Sequence, residues 1–296
     1  YDTGYNTTIS NAIFENNQTS EGNGGAIYKP YGNIDLTNTN FIGNSAKMGG
    51  AIYNYNATVN IKADDGNIVL FDGNRATENE ASSDIYNAQT VNLEAKDETS
   101  SITFNGNIGN DGNAIGTIKI SSLNKGTINF NGKVSYQNIT LDNGTLALGL
   151  ATAGATNYLD TVKLTLNGGT LELGKNASGI TNDYFKKVNL TLNGGTLSSA
   201  NNAIDQISID KFDITGDSNF DFDIDISSET GTSDFLKLVS YTEGDKKLKI
   251  GKLQILAGME EGQDRSKIKF SNMANLNTII DEINKKISYD NVNYDV

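Results

Sequence analysis

The chain repeats itself, and this constrains its fold more than any other feature. A motif Phe-x-x-Asn recurs as Phe14-Glu15-Asn16-Asn17, Phe41-Ile42-Gly43-Asn44, Phe71-Asp72-Gly73-Asn74 and Phe104-Asn105-Gly106-Asn107, then decays to Phe130-Asn131-Gly132-Lys133. The phenylalanines recur at intervals of roughly 26 to 33 residues, within the range of known repeat units. A second motif interleaves with the first: Gly24-Gly25-Ala26-Ile27-Tyr28, Gly49-Gly50-Ala51-Ile52-Tyr53, the degenerate Ser82-Ser83-Asp84-Ile85-Tyr86 and the fainter Gly112-Asn113-Ala114-Ile115. After residue 140 a third takes over, as Leu141-Asp142-Asn143-Gly144-Thr145-Leu146, Leu166-Asn167-Gly168-Gly169-Thr170-Leu171 and Leu192-Asn193-Gly194-Gly195-Thr196-Leu197. Its threonines keep a period of roughly 25 residues. Self-similarity at such a period marks a fold made of stacked copies of one small unit.

Between the glycine turns lie short alternating runs such as Val59-Asn60-Ile61, Ile102-Thr103-Phe104, Ile128-Asn129-Phe130 and Leu164-Thr165-Leu166. Alternation at period two means a strand with one buried face. Helical patterns are nearly absent between these runs, which excludes βαβ units. A unit length of about 26 residues, kept through different motifs, favours a coil over a sandwich or propeller. The predicted fold is all-β: a single right-handed parallel β-helix of roughly eleven rungs, about 50 Å long at the spacing of paired strands. In it the phenylalanines stack, Asn17, Asn44, Asn74 and Asn107 form an amide ladder at the bend, and the paired glycines supply positive φ. The lone proline, Pro30, fits a chain of continuous ladders, since proline cannot donate to one. We expect residues 1–296 to form one continuous solenoid. Phe-x-x-Asn and Gly-Gly-Ala-Ile rungs would fill 1–135, Asn-Gly-Gly-Thr-Leu rungs 136–240, and further rungs or a cap 241–296. A short helix over Asn275 to Lys286 is the expected exception.

Composition removes several function classes. Cys, His and Trp are absent, so no disulfide, thiolate nucleophile or Cys/His zinc site can form. Net charge is 23 − 36 = −13, with only Arg75 and Arg265 as arginines, and nucleic-acid binding requires a basic patch. No segment reaches the roughly 18 consecutive apolar residues of a membrane helix. The start, Tyr1-Asp2-Thr3-Gly4, has neither a basic nor an apolar leader segment, so any signal peptide lies outside the sequence.

Phe-x-x-Asn interleaved with Gly-Gly-Ala-Ile, over roughly residues 11 to 116, resembles the repeats of polymorphic outer-membrane proteins and related autotransporter passengers. The Asn-Gly-Gly-Thr-Leu copies and the run Phe220 to Leu238 resemble the later rungs of generic passengers. The resemblance implies a right-handed β-helix displayed on a Gram-negative cell surface, often as an adhesin, and a C-terminal translocating barrel. The tail to Val296 carries no run of amphipathic membrane strands ending in an aromatic, as a barrel would require. We therefore expect a passenger without its barrel, which would meet the membrane only through that missing part. The function it implies is a secreted or surface-displayed, non-enzymatic adhesin or structural rod. Its partner would be a protein or glycan of a host or neighbouring cell, and self-association into filaments is an alternative.

Candidate chemistry is sparse, and no catalytic residue, cofactor or metal is expected. Asp221, Asp223 and Asp225 alternate with Phe220, Phe222, Ile224 and Ile226, and so share a face. Such a face could serve Ca²⁺, which takes six to eight oxygens, but the expected role is a solvated strand face. Asp64-Asp65-Gly66-Asn67 lacks the later ligands of an EF-hand and reads as a turn. A polysaccharide-binding or polysaccharide-cleaving β-helix is a further alternative, because stacked rungs can supply the carboxylate pair that glycosidases hold about 5 to 9.5 Å apart. Tyr28, Tyr53 and Tyr86 follow inward isoleucines, so alternation turns them outward. They form a possible contact stripe for a glycan or protein, with rung-to-rung stacking as the competing role.

Overall fold

The computed structural model describes residues 6–123, 125–149, 159–173, 185–225, 227, 232–241, 246, 248–257, 286–289 and 292–295. Among them the chain is all-β apart from one 3-10 turn, Glu80–Ser82. The strands stack as a parallel β-solenoid. One wall consists of Thr7–Ser10, Gly32–Thr37, Ala57–Ala63, Thr90–Ala95 and Gly116–Ser121. A second begins with Ile13–Glu15, Asn40–Ile42, Ile68–Asp72, Ser101–Phe104 and Thr127–Phe130. It continues through Thr145–Leu148, Thr170–Leu173, Thr196–Ser198, Ser218–Asp225 and Leu248–Ala257. That gives ten parallel rungs against the eleven expected, spanning about 43 Å at the strand-pairing distance. A third wall is made of Ile27–Lys29, Ile52–Asn54, Ile85–Asn87 and Ile108–Gly109. The expected helix at Asn275 to Lys286 lies outside the described residues except for Lys286, which opens the strand Lys286–Tyr289.

The third and first walls fuse at Val134–Asn143. Val134 pairs with Ile108, and Gln137 to Asn143 pair with Gly116–Ser121. From there each rung carries one long strand: Leu159–Leu166, Phe185–Leu192, Gln206–Ile214 and then Phe235–Tyr241. The old corner survives inside the first three of the fused strands as a single left-handed residue, Tyr136 (φ 56°), Thr161 (φ 58°) and Lys187 (φ 58°). These sit at equivalent positions, because Ser135 pairs with Asp160, Gln137 with Val162 and Val162 with Val188. Non-glycine residues avoid this region unless neighbours hold them there; here the ladders on either side do so.

The motifs have direct structural meanings. Phe14, Phe41, Phe71 and Phe104 are register partners, and the last three have no solvent exposure. Their ring centroids are 5.2, 4.6 and 4.5 Å apart and their planes lie within 26°. Phe130 breaks the pattern by meeting Phe104 edge-on at 60°, after which Leu148 and Leu173 continue the column. The third residue of Phe-x-x-Asn is the bend, left-handed in Asn16, Gly43 and Gly73. The second glycine of Gly-Gly-Ala-Ile is a matter of space. A Cβ on Gly50 would collide with the Ser83 carbonyl and the Arg75 backbone in the next rung.

The asparagines form ladders inside and outside the coil. Inside, Asn17 donates its Nδ2 to Asn44 Oδ1 (2.8 Å), Asn44 to Asn74 (3.0 Å) and Asn74 to the Asp84 carboxylate (2.9 Å). Asn107, expected as the fourth member, is absent from this ladder. It accepts from the Lys133 N–H and donates to the Glu80 carbonyl, because Asp84 already fills the terminal acceptor position. A second inner ladder runs Asn54 to Asn87 (2.9 Å) to Gln137 (2.8 Å).

Phe41→Ala removes a ring packed on both faces, and we expect it to cost about 3 to 5 kcal/mol in denaturant unfolding. A loss below about 1 kcal/mol would contradict a stacked aromatic core. Asn44→Ala strips Asn17 of its acceptor and Asn74 of its donor at a fully buried position, at about 2 to 3 kcal/mol. Asn60→Ala, in a half-exposed ladder, should cost under about 1 kcal/mol because solvent replaces the lost partner. Equal losses in urea melts would contradict this inner–outer distinction.

Candidate contact surface and buried carboxylates

The tyrosines are stacked in register: Tyr28 pairs with Tyr53 and Tyr53 with Tyr86. Their centroids are 5.3 and 4.6 Å apart. The side chains do turn away from the core, but they do not form an exposed row. Tyr28 is 39% exposed, whereas Tyr53 and Tyr86 retain only 7% and 3%. The Tyr86 hydroxyl donates to Asp111 Oδ1 at 3.3 Å, and the partner of Tyr86 in the next rung is Gly109, which ends the stack. Desolvation, followed by the Asp111 charge, lifts the Tyr86 phenol far above its ordinary pKa, and desolvation raises Tyr53 as well. Exposed aromatic surface lies at one corner instead, on Tyr28, Tyr31 and Tyr55. The Tyr55 ring is parallel to Tyr53 at 6.2 Å.

The three aspartates of the 218–225 strand part company. Asp221 and Asp225 are half-buried, while Asp223 has no exposure. Asp223 Oδ2 accepts the backbone N–H groups of Asn201 (2.9 Å), Asn202 (2.7 Å) and Ala203 (3.1 Å). The solvated-face reading is therefore corrected at Asp223, which caps a turn whose backbone donors would otherwise be orphaned. Asp234 completes the network. Its carboxylate accepts the Asp223 N–H (2.8 Å), the Ser199 hydroxyl (2.7 Å) and the Asp205 N–H (2.8 Å). Among the described residues no group of three or more acids is arranged to hold a metal. Asp64 to Asn67 is a turn: Asn67 N–H returns to the Asp64 carbonyl (3.1 Å), and Asp65 pairs with Lys96 (2.8 Å).

Sequence reasoning missed Asp84, Asp205 and Asp234 as buried acids. The signal at Asp84 was the substitution itself: a carboxylate stands where Ala26 and Ala51 stand in the other copies. Burial pushes Asp84 up to about 7 against the hydrogen bonds from Asn74 and Gly106. Burial also pushes Asp234 up to about 7, despite three donors. Both groups hold protons in the folded chain that the unfolded chain releases near pH 4, so stability falls as pH rises from about 4 to about 7. Asp97 and Asp217 act oppositely. The Thr99 hydroxyl and the Lys246 ammonium lower them, so their contribution fades only in stronger acid. The melting temperature should therefore be higher at pH 5 than at pH 8, and Asp84→Asn should flatten that slope. A melting temperature that rises from pH 5 to pH 8 would contradict the assignment.

A groove of about 300 Å³ opens across the second wall, lined among others by Asn129, Asn131, Ala147, Glu172 and Ser198. No motif announced it. Neither a curated protein nor a solved structure matches the chain. Residues 11–29 and 38–55 match the Chlamydia polymorphic membrane protein repeat, and these segments hold the first two Phe-x-x-Asn and Gly-Gly-Ala-Ile-Tyr copies, the opening rungs of the solenoid.

Proposed function

We propose that the chain is the passenger part of a surface-displayed, autotransporter-like protein. It acts as a non-enzymatic adhesive rod outside the outer membrane of a Gram-negative cell. The repeat match over the first two rungs carries this reading, and the ten-rung parallel coil supports it. A rod of this kind suits display: every rung contacts only its neighbours, so length is added without enlarging a core. Outward faces then present the same backbone geometry many times over. The partner is a surface protein or glycan on a host or neighbouring cell. The acidic sequence leaves no basic field for nucleic acid.

Beads coated with the purified chain should adhere to epithelial cells above albumin-coated beads, and soluble chain should compete that adherence away. Adherence equal to the albumin control would defeat the adhesive reading. Incubation with a panel of plant and bacterial polysaccharides should release no reducing ends; sustained release would make the chain an enzyme.

A further inference from the structure

We propose that the groove across the second wall is a binding site for a neutral saccharide. The inference rests on the surface-rod reading only for where such a ligand would be met. Outward residues of the second wall form vertical columns. One runs Thr103, Asn129, Ala147, Glu172, Ser198, each the register partner of the next. The column beside it carries an amide ladder in which Asn131 donates to Asn105 (2.7 Å) and Asn105 to Asp72 (2.8 Å). The rung of Thr145–Leu148 offers both columns almost nothing. Ala147 stands between Asn129 and Glu172, and Gly149, whose N–H pairs with the Phe130 carbonyl, stops the amide ladder at Asn131. A Cβ on Gly149 would run into Asn131 Oδ1. The gap therefore opens over Ala147, with Asn129 and Asn131 on one side and Glu172, then Ser198 one rung further, on the other, while the Asn131 amide fills the space beside Gly149. Asn129 and Glu172 are two rungs apart, about 9 to 10 Å, which is wide enough for one sugar ring.

The lining selects the ligand by its chemistry. Carboxamides, a hydroxyl and a carboxylate can donate to and accept from the hydroxyls of a sugar. Among the described residues the lining has no lysine or arginine, and Glu172 is its single acid. A sialylated, sulfated or phosphorylated ligand would meet a negative charge with no cation to offset it. The next acid of the column, Asp221, is half-buried two rungs beyond Glu172 and is not among the groove's described lining residues. The buried side chains of Leu148 and Leu173 close the floor. The volume is at the small end of ligand sites, matching one or two rings.

The test is an array of neutral, sialylated and sulfated glycans probed with the full chain, followed by titration of the best neutral glycan into two variants. Ala147→Phe fills the gap from an outward, half-exposed position and should weaken binding at least about tenfold. Glu172→Ala, at an exposed position, should weaken it while leaving the melting temperature unchanged, and it keeps the test decisive should Ala147→Phe not fold. Retention of no neutral glycan, preference for acidic glycans, or affinities unchanged in a folded Ala147→Phe or in Glu172→Ala would each overturn the proposal. Cell adherence is read separately. Wild-type beads that adhere and are matched by both variants would overturn the groove as the adhesive site and leave the rod reading standing. Beads that fail to adhere while the neutral glycan still binds would defeat the adhesive reading alone.

Discussion

Parallel strands stacked by backbone hydrogen bonds must set each side chain about 4.8 Å above the one before it. Every other feature of this molecule answers to that distance. It lies close to the contact distance of aromatic planes. The phenylalanines and tyrosines therefore stack with nothing else required, at 4.6 Å for Phe41 on Phe71 and 5.3 Å for Tyr28 on Tyr53. It also suits an amide donating to an amide, hence asparagine at bends and on outward faces. It is a poor distance for like charges. Acids consequently occur singly along a column, at ladder ends or under turns, as Asp84 and Asp223 do.

The amide ladders have a direction, and the direction explains where the acids go. Inner ladders donate toward the C-terminal rung, from Asn17 to Asn44 to Asn74 and from Asn54 to Asn87 to Gln137. Outward ladders donate the other way: Asn92 to Asn60 to Asp35, Asn131 to Asn105 to Asp72, and Asn193 to Asn167 to Asp142. The last acceptor in a chain of amides has no donating to do, and a carboxylate accepts more strongly than an amide. Asp35, Asp72 and Asp142 occupy that position outside; inside, Asp84 occupies it as a buried carboxyl group raised to about 7. Moved to the opposite end of its ladder, each would face the acceptor oxygen of an amide.

Much of this was legible in the sequence because repetition is itself a structural statement. The regular return of Phe14, Phe41, Phe71 and Phe104 pointed to a column, and the run Asp64 to Asn67, legible as a turn, is one. What escaped is what alternation does not encode. It gave the direction of the Tyr53 and Tyr86 side chains, but not the neighbours that cover them. It put Asp223 outward, blind to the Asn201 to Ala203 turn folding over it. It made Asn107 the equivalent of Asn74, because the competitor, Asp84, belongs to the other motif. The groove was invisible because it is made by side chains that are missing.

In a repeat fold the repeated positions are already committed. A residue whose neighbours above and below are copies of itself is held by stacking, and changing it disturbs the column more than any single contact. Site-specific chemistry can then enter only where a copy departs from its predecessors. Among the described residues such departures include aspartate for alanine at Asp84, glycine for tyrosine at Gly109, alanine and glycine at Ala147 and Gly149, and the acids gathered around Asn201. Two kinds can be told apart physically. At Asp84 and around Asn201 the new group is buried and hydrogen-bonded, so it serves the fold. Gly149 makes room for the Asn131 amide, whereas at Ala147 the small side chain removes packing and exposes polar groups of the flanking rungs. A loss of stacking that the fold does not use is the place in such a rod where recognition of another molecule can be accommodated.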